Sequence, residues 1–338
     1  MSIVKLPLAE SPIVGLQYIA YALGIILNGE ESLPWYHSNY IQLASGNTFS
    51  TSMTFYPSWF DTNPFIDLQA FKKENMKYGN IDIHKFIKDC IDNKTYFYSA
   101  FDEFYVPDRL YYNNHHFCHD FLIYGYDTDR QEYILAGYNE RRLYKTTTIT
   151  FAQFEEAFFS KAAMIEYVHL LKRKEGYKYD FNLQLVYETL EDYLYRKNTS
   201  ERYSNSVYGS IITGRGWGLD VYKRLREYFD SLIRGAAGWF HIRPIHLLYE
   251  HKKAMVSRLK YMEANNYIND CQYLHENYKI IENKSLVMRN IQLKYSATSD
   301  NNYLYTIIDM LSEMELKEKE LLEILIDKVR TKLTQSSS

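Results

Sequence analysis

The chain has 338 residues, 46% hydrophobic and 24% charged, the balance of a water-soluble globular protein with room for one or two cores. Its formal net charge of −3 argues against a dedicated nucleic-acid binder, which needs a net basic footprint. No apolar run reaches the ~18 residues that would span a bilayer, so no membrane partner is expected.

The opening MSIVKLPLAESPIVG lacks the basic start, apolar run and small-residue cleavage site of a secretory signal. Cys90, Cys118 and Cys271 are an odd, scattered set and imply no disulfide framework. A cytoplasmic location is the expectation. The 34 tyrosines suit wide grooves and wet interfaces, because Tyr covers apolar surface and keeps a polar tip, although biased codon usage would raise their number too.

Taken in chain order, LQYIAYALGIILN (16–28) is apolar nearly all round and reads as a buried helix, ended by Glu31–Trp35. Residues 36–66 read as aromatic loops and short strands. IDIHKFIKDCID (81–92) is a helix with Ile83, Phe86, Ile87 and Cys90 on one face, and TYFYSAFDEFYV (95–106) alternates as a strand does. HDFLIYGYD and EYILAGYNE form a hairpin around DTDRQ. After TTTIT (146–150) the remainder reads as almost wholly helical, ending in a long Glu/Lys-rich amphipathic helix. The division is therefore an α+β half, residues 1–165, and a helical half, residues 166–338.

The candidate chemistry sits in NNHHFCHDF, where three histidines and a cysteine fall together. As zinc ligands they do not converge. On a strand His115 and His119 share a face but stand about 13 Å apart, at ~3.3 Å per residue. His116 and Cys118 point to the opposite face, and no second ligand pair completes a site. A Cys118–His119 dyad fails for the same reason, so Cys118 is expected buried and unreactive. The bland reading is that all three histidines are ordinary loop and strand residues. The sharper one uses the hairpin: residues whose numbers sum to about 258 face each other, which sets Asn139 opposite His119. An amide there would hold the imidazole in one tautomer. Gly137 and Glu140 compete for that place if the register slips.

Three other stretches draw the eye. HIRPIHLLYEH (241–251) puts His246 and Glu250 on one helix face but lacks the paired histidines of a zinc helix; a polar network with Arg243 and Arg258 is the alternative. The glycines at 209, 214, 216 and 218 before a helix would cradle a phosphate, such as that of a phosphopantetheine arm, or else form a flexible loop. LLKRK (170–174) reads as a solvated helix end or a contact for an acidic partner. The terminal Glu/Lys helix reads as a surface helix or a homodimer contact.

The run HDFLIYGYDTDRQEYILAGYN, a histidine opening a strand, then GYD, a turn and a second strand, resembles the second half of papain-like cysteine enzymes. The likeness spans roughly residues 5–165. It is similar to the butirosin biosynthesis acyltransferase family, to bacteriocin-processing cysteine peptidases and to transglutaminase-like enzymes that make amide bonds in peptide-antibiotic pathways. The resemblance implies an α+β papain-like fold with an all-α C-terminal extension. It implies acyl transfer or amide formation on a chain bound to an acyl or peptidyl carrier protein, with a small amine or peptide as the other substrate, His119 and Asn139 as catalytic residues and no bound cofactor.

In that family a cysteine stands at the start of the first helix, where orphan N–H groups favour a thiolate. The matching stretch ESPIVGLQYIAYALGIILN has none: Gly15, or its neighbour Val14 or Leu16, is expected in its place, and neither Gln17 nor Tyr18 is a useful nucleophile. Three explanations stay open: an inactive relative that binds a carrier-tethered chain or partner enzyme; an enzyme using His119 as general base for direct attack by an amine; or Cys118 as nucleophile of a rearranged site. A peptidase is disfavoured.

Overall fold

The computed structural model describes residues 3–46, 53–57, 62–203, 211–236 and 240–337. In chain order its elements are β1 (Ile3–Lys5), α1 (Gln17–Ile26), α2 (Leu33–Ser38), β2 (Gln42–Ser45), β3 (Met53–Tyr56), β4 (Ile66–Lys72), α3 (Lys73–Tyr78), α4 (Ile83–Asp92) and β5 (Thr95–Asp102). There follow β6 (Cys118–Asp127), β7 (Glu132–Tyr138), β8 (Tyr144–Thr150), α5 (Phe151–Phe159) and β9 (Tyr167–Arg173). The remainder comprises α6 (Leu183–Leu194), β10 (Gly216–Trp217), α7 (Asp220–Ile233), α8 (Arg243–Ala264), α9 (Gln272–Thr298) and α10 (Asn302–Ser337).

The chain divides into two compact units. One is Met1–Ser32 with Trp59–Lys178; the other is Leu33–Ser58 with Tyr179–Ser338. The expected single boundary after residue 165 is thus replaced by an exchange of segments. Two features account for it. Residues 167–173, expected helical, are strand β9, inserted between β4 and β5 with Val168 and Leu171 fully buried. LLKR (170–173) is therefore strand, not a helix end. And β2, with β3 on its other side, pairs with β10, far along the sequence, rather than with the large sheet.

The first unit is built on an antiparallel sheet in the order β4-β9-β5-β6-β7-β8, with β1 also paired to β6. Alternation along β5 sorts its two faces. Tyr98 meets Tyr21 of α1 on one side, while Phe97 and Phe101 meet Phe154 of α5 on the other, the side that α4 also covers through His84. Helix α1 is buried at every position but Tyr18, as its unbroken apolar run requires. Helix α4 starts where Asp82 accepts hydrogen bonds from the His84 and Lys85 amides, satisfying two orphan donors, and it buries Ile83, Ile87, Cys90 and Ile91. α5 opens on a capping box between Thr150 and Gln153.

The hairpin forms as its pattern dictates. Leu122 and Ile123 face Ala136 and Leu135; beyond a bulge the register slips by one to Tyr126 opposite Tyr133.

The second unit packs α6 to α10 with α2 and the three-stranded sheet. Its centre is polar as well as apolar. Lys252 and Glu318 are both fully buried and meet at 2.6 Å, and Arg258, 1% exposed, donates to the carbonyls of His37 and Asn39. Gly218 is required here because a Cβ would come within 2.1 Å of the Tyr193 carbonyl oxygen. The Gly218 and Leu219 amides donate to Leu43 and Tyr193, so these two N–H groups are engaged within the fold and not free for a phosphate. Gly209 of the same glycine run lies outside the described residues.

Candidate functional site

Asp102 ends strand β5 and Glu103 follows it in a short helical turn, and each of these carboxylates holds one histidine. Asp102 Oδ1 accepts from the Phe104 and Phe117 amides, which closes the 103–117 loop at its base. Its Oδ2 takes the His116 Nδ1 and the Ser160 hydroxyl, both at 2.6 Å. Burial alone would raise the Asp102 carboxyl, but these four hydrogen bonds outweigh it and hold it below the usual carboxylate range. Glu103, 4% exposed, accepts from His119 Nδ1 at 2.7 Å. His115 stays on the surface against Tyr111. The three histidines thus part company, and only His119 turns toward the start of α1.

What meets it there is Gln17, the first residue of that helix. Leu16 is extended (φ −132°, ψ 111°), so the helix begins after it, and the side chain opposite the imidazole comes from residue 17 rather than Gly15. The carboxamide is fixed at both ends. Its Oε1 accepts the Tyr138 amide N–H at 2.6 Å, which leaves Nε2 as the donor end. Nε2 lies 3.2 Å from the Asp120 carbonyl, 3.3 Å from Asp120 Oδ1 and 3.3 Å from His119 Nε2. Two N–H bonds thus serve three acceptors. Where an amide N–H goes to His119 Nε2, that nitrogen is the acceptor and the ring's Nδ1–H faces Glu103.

Around this pair the wall is charged and closed. Arg109, 3% exposed, donates to the Tyr138 carbonyl and to Thr147 Oγ1, and its guanidinium lies 4.6 Å from the Phe121 ring centroid. Burial lowers its pKa, and the nearby Tyr21, Glu103, Asp108 and Asp120 oppose that shift. A Cβ on Gly137 would meet Arg109 Nη1 at 2.8 Å and Gln17 Oε1 at 2.9 Å, so glycine lets both polar groups converge. Tyr21 donates to the Asp120 and Ala136 carbonyls; burial first, then the Asp120 charge, raises its pKa well above the ordinary phenol value. Phe117 stands edge-on to His119 at 5.8 Å and is 41% exposed, so the imidazole, about a quarter exposed, is reached past an aromatic ledge.

Of the residues expected at the site, His119 is in place. Asn139 is not its partner: β7 stops at Tyr138, and the Asn139 side chain closes the following turn by accepting the Arg141 and Leu143 amides. Glu103 holds the orienting position instead. Cys118 is half-buried rather than buried, because it opens β6 at the sheet's end. Sequence reasoning passed over Glu103, Arg109 and Asp120. The one available signal was the pair Asp102–Glu103 closing an aromatic strand, where a carboxylate is costly unless partnered.

Glu250 on α8 pairs with His246 at 3.0 Å, while Arg258 of the expected network donates instead to the His37 and Asn39 carbonyls. Among the described residues no group of His, Cys, Asp and Glu is arranged to hold a metal ion, and no helix is long and apolar enough to cross a membrane. No protein-family model matches this chain, and no curated protein matches it.

Proposed function

We propose that the α/β unit is a papain-like domain without its nucleophile, acting as a non-catalytic binding or scaffold protein for a carrier-tethered acyl or peptidyl chain in a bacterial peptide-antibiotic pathway. The observation that carries this reading is the Gln17 carboxamide lodged against His119 Nε2 at 3.3 Å. In the enzymes the sequence resembles, a thiol at the helix start faces an imidazole steered by a polar side chain. The helix start at Gln17, the His119 imidazole and the Glu103 carboxylate support that comparison, with an amide where the thiol would stand. An amide neither attacks a carbonyl nor leaves as a thiolate does, so no acyl-enzyme forms. It also occupies the lone pair that a general base would use.

The second reading is an acyltransferase in which His119 activates an amine directly. It is favoured by the Glu103–His119 contact, which orients the ring as a base needs. One experiment separates the two. The protein is incubated with an acyl carrier protein loaded as a thioester and with a small amine, and product and carrier binding are followed separately. The scaffold reading predicts no turnover and equal carrier binding by wild type and His119→Ala. Turnover that His119→Ala abolishes, with binding intact, establishes the enzyme instead.

A further inference from the structure

Beside α4, residues of β4, β9 and the start of β5 line a half-open cavity of about 340 Å³. It is remote from the site above. Thr95 at its rim lies six residues along β5 from Phe101, the strand partner of His119, which is about 20 Å at ~3.3 Å per residue. Its floor is apolar: Phe86 and Cys90 from α4 and Leu170 from β9. Burial and the Asp89 charge push the Cys90 thiol up to about 11, so it lines the floor as a neutral, poorly reactive group.

The rim carries both signs of charge. Asp67 and Lys172 are direct cross-strand partners of β4 and β9, with Cβ atoms about 5 Å apart. Among the described residues no ion pair joins them. Asp89, one helix turn from the floor residue Phe86, adds a second carboxylate and holds Lys85 at 2.6 Å. Pockets of this size that are largely apolar with a few placed polar groups suit small ligands. A small molecule that offers a cation to Asp67 and Asp89, an anion to Lys172 and an apolar body to Phe86 and Leu170 would complement this lining.

We infer that this cavity binds a free α-amino acid with an apolar side chain, its ammonium toward Asp67 and Asp89 and its carboxylate toward Lys172. The inference is independent of the His119 site, so either can fail alone. Titration calorimetry of the full chain with L-phenylalanine tests it. Saturable binding with a Kd of about 1 mM or tighter is expected. Phenethylamine and 3-phenylpropionate, each lacking one charge, and phenylalaninamide, which has no carboxylate, should bind about tenfold more weakly, as should L-phenylalanine to Asp67→Asn or Lys172→Met. Both substituted side chains are exposed, so unchanged thermal melts will show that the variants remain folded. Absence of saturable binding overturns the inference. So does phenethylamine binding as well as phenylalanine, which would make this a cation site only, or binding indifferent to both variants.

Discussion

Glu318→Ala lowers the stability of the helical unit by about 3–5 kcal/mol, the cost of leaving a buried charge without its partner. The Lys252 ammonium lies 2.6 Å from both Glu318 oxygens, and neither side chain is exposed at all. The same carboxylate accepts the Tyr222 hydroxyl at 2.7 Å and the Tyr193 hydroxyl at 3.4 Å, so its removal orphans donors from three helices. Among the described residues Lys252 would keep hydrogen bonds to the Tyr193 oxygen and His251 Nδ1, both at 3.0 Å. Urea denaturation followed by circular dichroism gives the number. The double replacement Lys252→Met with Glu318→Leu removes both charges, and regains most of the loss if desolvation is the cause. A single Glu318→Ala costing less than about 1 kcal/mol would mean that water reaches the pair.

The second large effect is acid sensitivity of the same unit. His251 is fully buried; burial, then the adjacent Lys252 charge, push its pKa well below the ordinary value. Its Nε2–H donates to the Ile41 carbonyl at 2.7 Å while Nδ1 accepts from Lys252, which needs the neutral ring. His37, stacked on Tyr261 at 4.4 Å, is pushed down to about 3, by burial first and then by the Arg258 charge. Both native pKa values lie below the unfolded one, near 6.5. The stabilisation is therefore complete above pH ~6.5 and is lost as pH falls, because the unfolded chain takes up protons that the native state refuses. Each histidine contributes about 1.4 kcal/mol per pH unit below ~6.5. Urea midpoints measured between about pH 6.5 and 4.5 should fall steeply, and His37→Phe, which keeps the ring stacked, should remove about half of the slope. A slope unchanged by His37→Phe would show that this histidine is protonated in the native state.

The local signals in the sequence read well. The apolar run of α1, the one-sided face of α4 and the hairpin of β6 and β7 each carry their own period and punctuation. His119 emerged because it opens a strand whose alternation is plain. What stayed hidden depends on distant pairing. β9 was read as helix since YVHLL is apolar without strict alternation; its neighbours β4 and β5, which fix it as a strand, lie about 70–100 residues earlier. The same ambiguity hid the exchange of residues 33–58 into the helical unit, which rests on β2 pairing with β10. At the site, the hairpin register gave Asn139, and it fails because the strand ends one residue too soon. Gln17 was dismissed as a non-nucleophile, correctly in chemistry, but its position depended on where the helix begins, and sequence leaves helix ends uncertain by a residue or two.

The central claim is that Gln17 occupies the place a nucleophile would hold opposite a steered imidazole. It is tested most directly by Gln17→Cys in a Cys118→Ser background, with iodoacetamide alkylation of residue 17 measured as a function of pH. A thiol at that helix start beside His119 should be thiolate at neutral and mildly acidic pH, since helix N–H groups and an imidazolium both favour the anion. The account predicts alkylation at about pH 6 at least tenfold faster than for an ordinary thiol of pKa ~8.5, and loss of that advantage when His119→Ala is added. A thiol that titrates near ~8.5 and reacts alike with or without His119 would contradict it.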